Sequence, residues 1–207
     1  MISEQSISAL RDQVSGVLSE NRFKHVMGVE NAAIKIGKYC LPERILELRA
    51  AALLHDITKE IKVEEHLEIL QRNSFVPTDD IIANPHLLHS FSAPFMILEK
   101  YPDFALPEIL SAVEKHTLGA ADMTVFDEII FISDYIEEGR IYEPCIATRK
   151  FLYDSFVSSN YASNQIALHK ACILSIDLTI KSLEDKKRFV HPRVFEAKQA
   201  IISLLAD

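Results

Sequence analysis

His55 and Asp56 are neighbours that close an apolar run, AAALL, in a chain of 207 residues. Histidine and carboxylate are strong metal ligands, and polar groups in an apolar frame are costly unless they have partners. Four more residues share that setting. His25 lies in a helical stretch, His89 follows Leu87 and Leu88, His116 ends an apolar segment, and Asp134 sits within IIFISDYI. A carboxylate among Ile130, Phe131, Ile132, Tyr135 and Ile136 calls for a cation or hydrogen-bond donors. Singly, each residue has a structural explanation as a helix-end or hydrogen-bonded core group. Together, four imidazoles and two carboxylates form the mixed nitrogen and oxygen set that suits Fe, Mn, Co, Ni or Zn better than Mg or Ca. One ion would take His25, His55, Asp56 and Asp134, and a second His89 and His116, with Asp56 bridging. His86 shares a helix face with His89 and is its rival; His66, His169 and His191 match no metal motif.

Two metal ions at such a site activate water for attack on phosphorus, and a nearby cation steadies the charge that develops. Lys59, one turn beyond Asp56, is placed for that role, with helix-end lysine as its structural alternative. Arg140 and Arg22 carry less weight, since each also reads as a surface ion-pair or helix-start residue.

The elements that position these residues are helical throughout. Apolar periodicity predicts helices over about 3–20, 21–40, 42–59, 62–73, 79–101, 107–116, 124–138, 145–160, 163–183 and 192–205, the fifth broken near Pro85 and Pro94. The charged EDKKR at 184–188 reads as a solvated loop. Five glycines and eight prolines leave little material for hairpins or linkers, so residues 1–207 are expected to form one all-α, single-domain bundle.

Whole-chain properties narrow the function. A net charge of −8 repels nucleic acid and anionic lipid, so phosphate chemistry must be local to a focused site. Three separated cysteines without a CxxC pair suggest no disulfide framework, and no apolar run reaches the roughly 18 residues of a membrane helix. A cytoplasmic protein is expected, with neither nucleic acid nor membrane as partner.

Five motifs in order carry a family resemblance: R-x-x-H ending at His25, L-L-H-D-x-x-K from Leu53, L-L-H ending at His89, H-T-x-G from His116, and D-Y-I-E-x-G-R from Asp134. They resemble the HD superfamily and, more narrowly, its YqeK-type bacterial members; H-P-R-x-x-E-A from His191 is similar to that group's C-terminal helix, so the likeness spans about 22–200. The resemblance implies an HD-type bundle with a dinuclear site, Fe first among the metals. It implies symmetrical hydrolysis of diadenosine tetraphosphate to two ADP, with Asp56 and Lys59 catalytic and Arg22, Lys59, Thr117, Gly119 and Arg140 as substrate contacts. Assembly is left open, a homodimer being allowed. Ser90, Leu118 and Ser133 depart from the group's pattern beside presumed ligands. The residues alone support phosphoester or phosphoanhydride hydrolysis. The rivals are an HD hydrolase of another nucleotide (a deoxynucleotide or alarmone), an HD-type diiron oxygenase, and a nucleotide-binding regulator.

Overall fold

Side-chain caps set the first helix starts. Ser3 and Ser6 form a reciprocal capping box at the head of α1 (Glu4–Ser15), and the Ser19 side chain accepts the Arg22 backbone N–H at the head of α2 (Glu20–Cys40). The computed structural model describes residues 2–206. The chain continues through α3 (Ile45–Leu54), α4 (Val63–Arg72), α5 (Asp79–Ala83), α6 (Leu88–Lys100), α7 (Pro107–Lys115), α8 (Val125–Ile136), α9 (Glu143–Ser155), α10 (Tyr161–Asp185) and α11 (Pro192–Leu204). Short 3₁₀ turns at Pro42–Arg44, Pro85–Leu87 and Pro102–Phe104 each begin on a proline, whose missing N–H costs nothing in a first turn. No strand occurs among the described residues.

The bundle is organised around α3, which buries Leu48 and every residue from Ala50 to Leu54 and packs against α1, α2, α7 and α8. Glu47 and Arg49 are its only charged residues, both paired to neighbouring charges, and the run from Ala50 to Leu54 has no solvent face, so the helix is held centrally by its neighbours. Gly37 lets α2 approach it closely, because a Cβ there would meet Leu48 Cδ1 at 2.7 Å. The main core joins α1, α2, α3, α7, α8 and α10, and a satellite cluster of Leu70, Ile81, Leu87, Leu88, Phe91 and Leu118 fills the gap beneath α4 to α6. No helix is long and apolar enough to cross a membrane among the described residues.

The all-helical expectation holds, with four corrections. The helix expected over 3–20 stops at Ser15, and the Gly16 N–H bonds back to the Asp12 and Gln13 carbonyls. The helix expected over 42–59 begins as a 3₁₀ turn and ends at Leu54, so His55, Asp56 and Lys59 lie in the turns that follow. The break at Pro85 is present, whereas α6 runs through Pro94. Burying Phe91 and Ile97 on α6, worth roughly 1.5–3 kcal/mol each, offsets the roughly 3 kcal/mol a mid-helix proline costs. Finally, α9 starts two residues early and stops at Ser155, while α10 extends to Asp185, taking in part of the expected charged loop.

Candidate metal centre

Three imidazoles are oriented by main chain. His55, directly after α3, directs Nδ1 to the Ala52 carbonyl at 2.6 Å; His116, directly after α7, does the same to Val113 at 2.6 Å; His89, in the first turn of α6, does so to His86 at 2.7 Å. A carbonyl only accepts, so Nδ1 carries the proton and each Nε2 offers a lone pair inward. His25, on α2, directs Nδ1 instead to the Glu137 carboxylate at 3.2 Å.

All four Nε2 atoms converge on Asp56. Its Oδ2 lies 3.4 Å from His55 Nε2 and 3.7 Å from His25 Nε2, and its Oδ1 lies 3.4 Å from His89 Nε2 and 3.7 Å from His116 Nε2. Asp134 Oδ1, on α8, stands 3.0 Å from His25 Nε2. Donors of His25, His55 and Asp134 lie within 4.8 Å of one another, as do those of His55, Asp56 and His116. Buried His25 Nε2, His55 Nε2 and Asp56 Oδ1 have no hydrogen-bond partner. His89 Nε2 and His116 Nε2 face each other at 3.1 Å, although both histidines are protonated on Nδ1. Inward-facing lone pairs and orphaned carboxylate oxygen fit cations at two adjacent positions. His86 contributes its backbone carbonyl, and its side chain lines a neighbouring cavity, so His89 is the histidine brought to the cluster.

The electrostatics agree. Burial opposes charge on Asp56, but positive charge placed on the imidazole cluster, at His55 first, outweighs it and holds the carboxyl well below the usual range, as a cation seated there would; at Asp134 a hydrogen bond from His25 and the charge of Arg140 do the same. Burial, His116 and Lys59 push His89 well below the usual imidazole value, so it is neutral and able to ligate. Burial also lowers Lys59, against the pull of Asp56 and Asp134, and its Nζ stands 3.0 Å from His89 Nε2.

A cleft of about 290 Å³ opens onto these atoms, lined among others by Arg22, Asp56, Lys59, Thr117, Asp134 and Arg140. Arg22 donates to Asp56 Oδ2 at 2.9 Å and Arg140 to Asp134 Oδ1 at 2.8 Å. Thr117 Oγ1 lies 3.2 Å from His89 Nε2 and 3.1 Å from His116 Nε2. Gly119 does not line the cleft. Its φ of +68° ends the turn after α7, and a Cβ there would meet Ala197 Cβ at 2.8 Å. Leu118 lines the cleft and belongs to the satellite core, Ser90 Oγ donates to the Leu87 carbonyl at 3.0 Å, and buried Ser133 Oγ is unpaired.

Two supports escaped the sequence reading. The buried Glu137 carboxylate also accepts the Gly139 N–H at 2.5 Å, in a slot left by Gly28, where a Cβ would lie 2.4 Å from Glu137 Oε2. The visible signal was a carboxylate directly after the apolar Ile136. Behind His89, Thr58 Oγ1 donates to its carbonyl at 3.0 Å, Ser92 Oγ donates to Thr58 Oγ1 at 3.0 Å, and His66 Nδ1 meets Ser92 Oγ at 2.7 Å. Nothing in the local sequence around His66 marked it.

An all-helical bundle with this cluster at the C-terminal end of α3 matches the family called HD domain over residues 22–139, and the chain belongs to that family. A relative from Bacillus subtilis (strain 168) is 27% identical over 204 residues, covering 98% of this chain and 99% of that one. Another, from Halalkalibacterium halodurans, is 31% identical over 124 residues, covering 59% of this chain and 64% of that one. Both are named bis(5'-nucleosyl)-tetraphosphatase, symmetrical. A crystal structure from Clostridium acetobutylicum, described as a predicted HD superfamily hydrolase involved in NAD metabolism, superposes with a TM-score of 0.80 at 31% identity, over 95% of this chain and 97% of that chain.

Proposed function

We propose that residues 1–207 form one cytoplasmic catalytic unit that hydrolyses diadenosine tetraphosphate symmetrically to two ADP. The carrying observation is that Asp56 turns one oxygen to His25 and His55 and the other to His89 and His116. Relatives along the whole chain that are named for this activity support the substrate. His25, His55, Asp56 and Asp134 would hold one divalent transition-metal ion and His89, His116 and Asp56 a second, Fe first and Mn, Co, Ni or Zn otherwise. Such ions supply Lewis acidity and an acidified water.

The chain's own residues do the rest. Arg22, Lys59 and Arg140 grip the phosphates along the cleft, and Thr117 Oγ1 adds a hydrogen bond at its floor. Lys59 is the catalytic cation, placed against the phosphate whose charge grows as the bridging P–O bond breaks. Asp56 holds both halves of the histidine set in register, and Glu137 fixes the ring of His25. Water adds to one of the two central phosphorus atoms, and the diphosphate bearing the other leaves.

The test is hydrolysis of diadenosine tetraphosphate by metal-loaded protein, with products separated and metal counted. ADP as the single nucleotide product is expected, with Asp56→Ala losing both metals and all turnover. ATP together with AMP would overturn the symmetrical reading, and full metal content in Asp56→Ala would overturn the site.

A further inference from the structure

His66, Ser92 and Thr58 are a buried histidine and two buried hydroxyls that take no part in the chemistry assigned above. His66 comes from α4, Ser92 from α6, and Thr58 from the turns after α3, between Asp56 and Lys59. Their hydrogen bonds run in one direction. The series ends at the His89 carbonyl, which can only accept, so Thr58 Oγ1 donates its proton there at 3.0 Å. Thr58 then accepts from Ser92 Oγ, also at 3.0 Å, and Ser92 accepts from His66 Nδ1 at 2.7 Å. Burial lowers the His66 imidazole below its ordinary value, against the pull of Glu65, so the ring is neutral and its single N–H lies on Nδ1.

The need for such a network lies in α6 itself. A helical carbonyl bonds the N–H four residues on, and Pro94 has none to offer Ser90. The first turn of α6, which carries His89, is therefore short of one backbone bond. The bonds it does have lie within the helix and leave its distance from the turn of Asp56 unset. That distance matters, because His89 Nε2 stands 3.4 Å from Asp56 Oδ1 and 3.0 Å from Lys59 Nζ. Thr58, between those two residues in the chain, ties their turn directly to the main chain of His89. The remaining histidines have supports elsewhere: His55 and His116 are set by carbonyls of their own turns and His25 by Glu137.

We infer that His66, Ser92 and Thr58 are positioning residues for His89, which together set the second proposed ion position and leave the first untouched. This rests on the two-ion reading of the cluster and adds what makes the two positions separable. His66 acts through Ser92. Without its N–H, Ser92 Oγ can turn its proton to the His89 carbonyl, 3.3 Å away, and compete with Thr58 for it.

The experiment is graded removal of metal from the metal-loaded protein by a chelator, with ions per chain counted and the urea midpoint recorded alongside. Thr58→Val, which keeps the shape and removes the hydroxyl, should release one of two ions at about 10- to 100-fold less chelator than wild type and hold the other normally. Thr58→Ser should restore wild-type release. His66→Leu should behave as Thr58→Val does, and His66→Asn, which keeps a donor near the Nδ1 position, should not. Added to His89→Ala, Thr58→Val should change nothing further, because the ring it positions is gone. Wild-type release in Thr58→Val would overturn the inference, and so would loss of both ions in parallel with a lowered urea midpoint, the mark of a general packing defect. A wild type that binds fewer than two ions would instead overturn the two-ion reading.

Discussion

Lys59 and His25 show how differently two residues of one site depend on their surroundings. Lys59 acts on the transferred phosphate and lies outside both proposed ligand sets, so Lys59→Ala should keep both metals and slow turnover by about 10²-fold. Single-turnover rates with metal analysis check this; a rate within about a factor of two of wild type would make Lys59 a structural residue of the turns after α3. His25, by contrast, depends on a carboxylate 3.2 Å away that exists only because residue 28 is glycine. Glu137→Ala should weaken metal retention by about 10- to 100-fold. Gly28→Ala should reproduce the loss, since its Cβ drives the carboxylate away while leaving every proposed ligand in place. A competition titration with a chelator reads both variants, and wild-type affinity in either would show that the carboxylate does not orient the ring.

At the scale of elements, the turn after α7 carries a specific demand. Gly119 sits at φ +68°, where an L side chain costs about 1–2 kcal/mol, and α11 presses Ala197 against it. Gly119→Ala should therefore destabilise the fold by about 2 kcal/mol or more in urea unfolding, and an unchanged midpoint would contradict the strain. This glycine also shows what sequence reading can reach. The resemblance made it a substrate contact through H-T-x-G; it does not line the cleft, and its positive φ turns the chain just after His116. The helices and six clustered side chains were legible because apolar periodicity and polar residues in apolar frames are local signals. The end of α3 was not, because the run through Leu54 has the same period as the residues after it. What stops the helix is the convergence of His55 and Asp56 with side chains from α2, α6 and α8, a tertiary cause. Pro94 was misread for the same reason, its local penalty being offset by burial across the bundle.

Across the whole molecule, the cluster ties α2, α6, α8 and the chain just after α3 and α7 at one point. Anything bound there and absent from the unfolded chain stabilises the fold by mass action, about 2.7 kcal/mol at a hundredfold excess over Kd. For a chain of this size that corresponds to a rise in Tm of about 5–10 °C. Thermal unfolding before and after exhaustive chelation, and again after metal is restored, should show that difference reversibly. An unchanged Tm after verified metal removal would mean that the bundle is set without the ions.

The carbonyls that hold His55, His89 and His116 belong to residues three positions earlier in the same helical turn. Because the backbone provides the restraint, the identities of Ala52, His86 and Val113 do not matter to it. Drift at those positions leaves the three rings where they are. His25 has no such insurance, since its orientation passes through two other residue identities, a glutamate 112 positions away and a glycine one turn along the same helix. Under random mutation, therefore, inheritance of the site is uneven: three corners are copied with the helix itself, and the fourth is kept only while Gly28 and Glu137 are kept together.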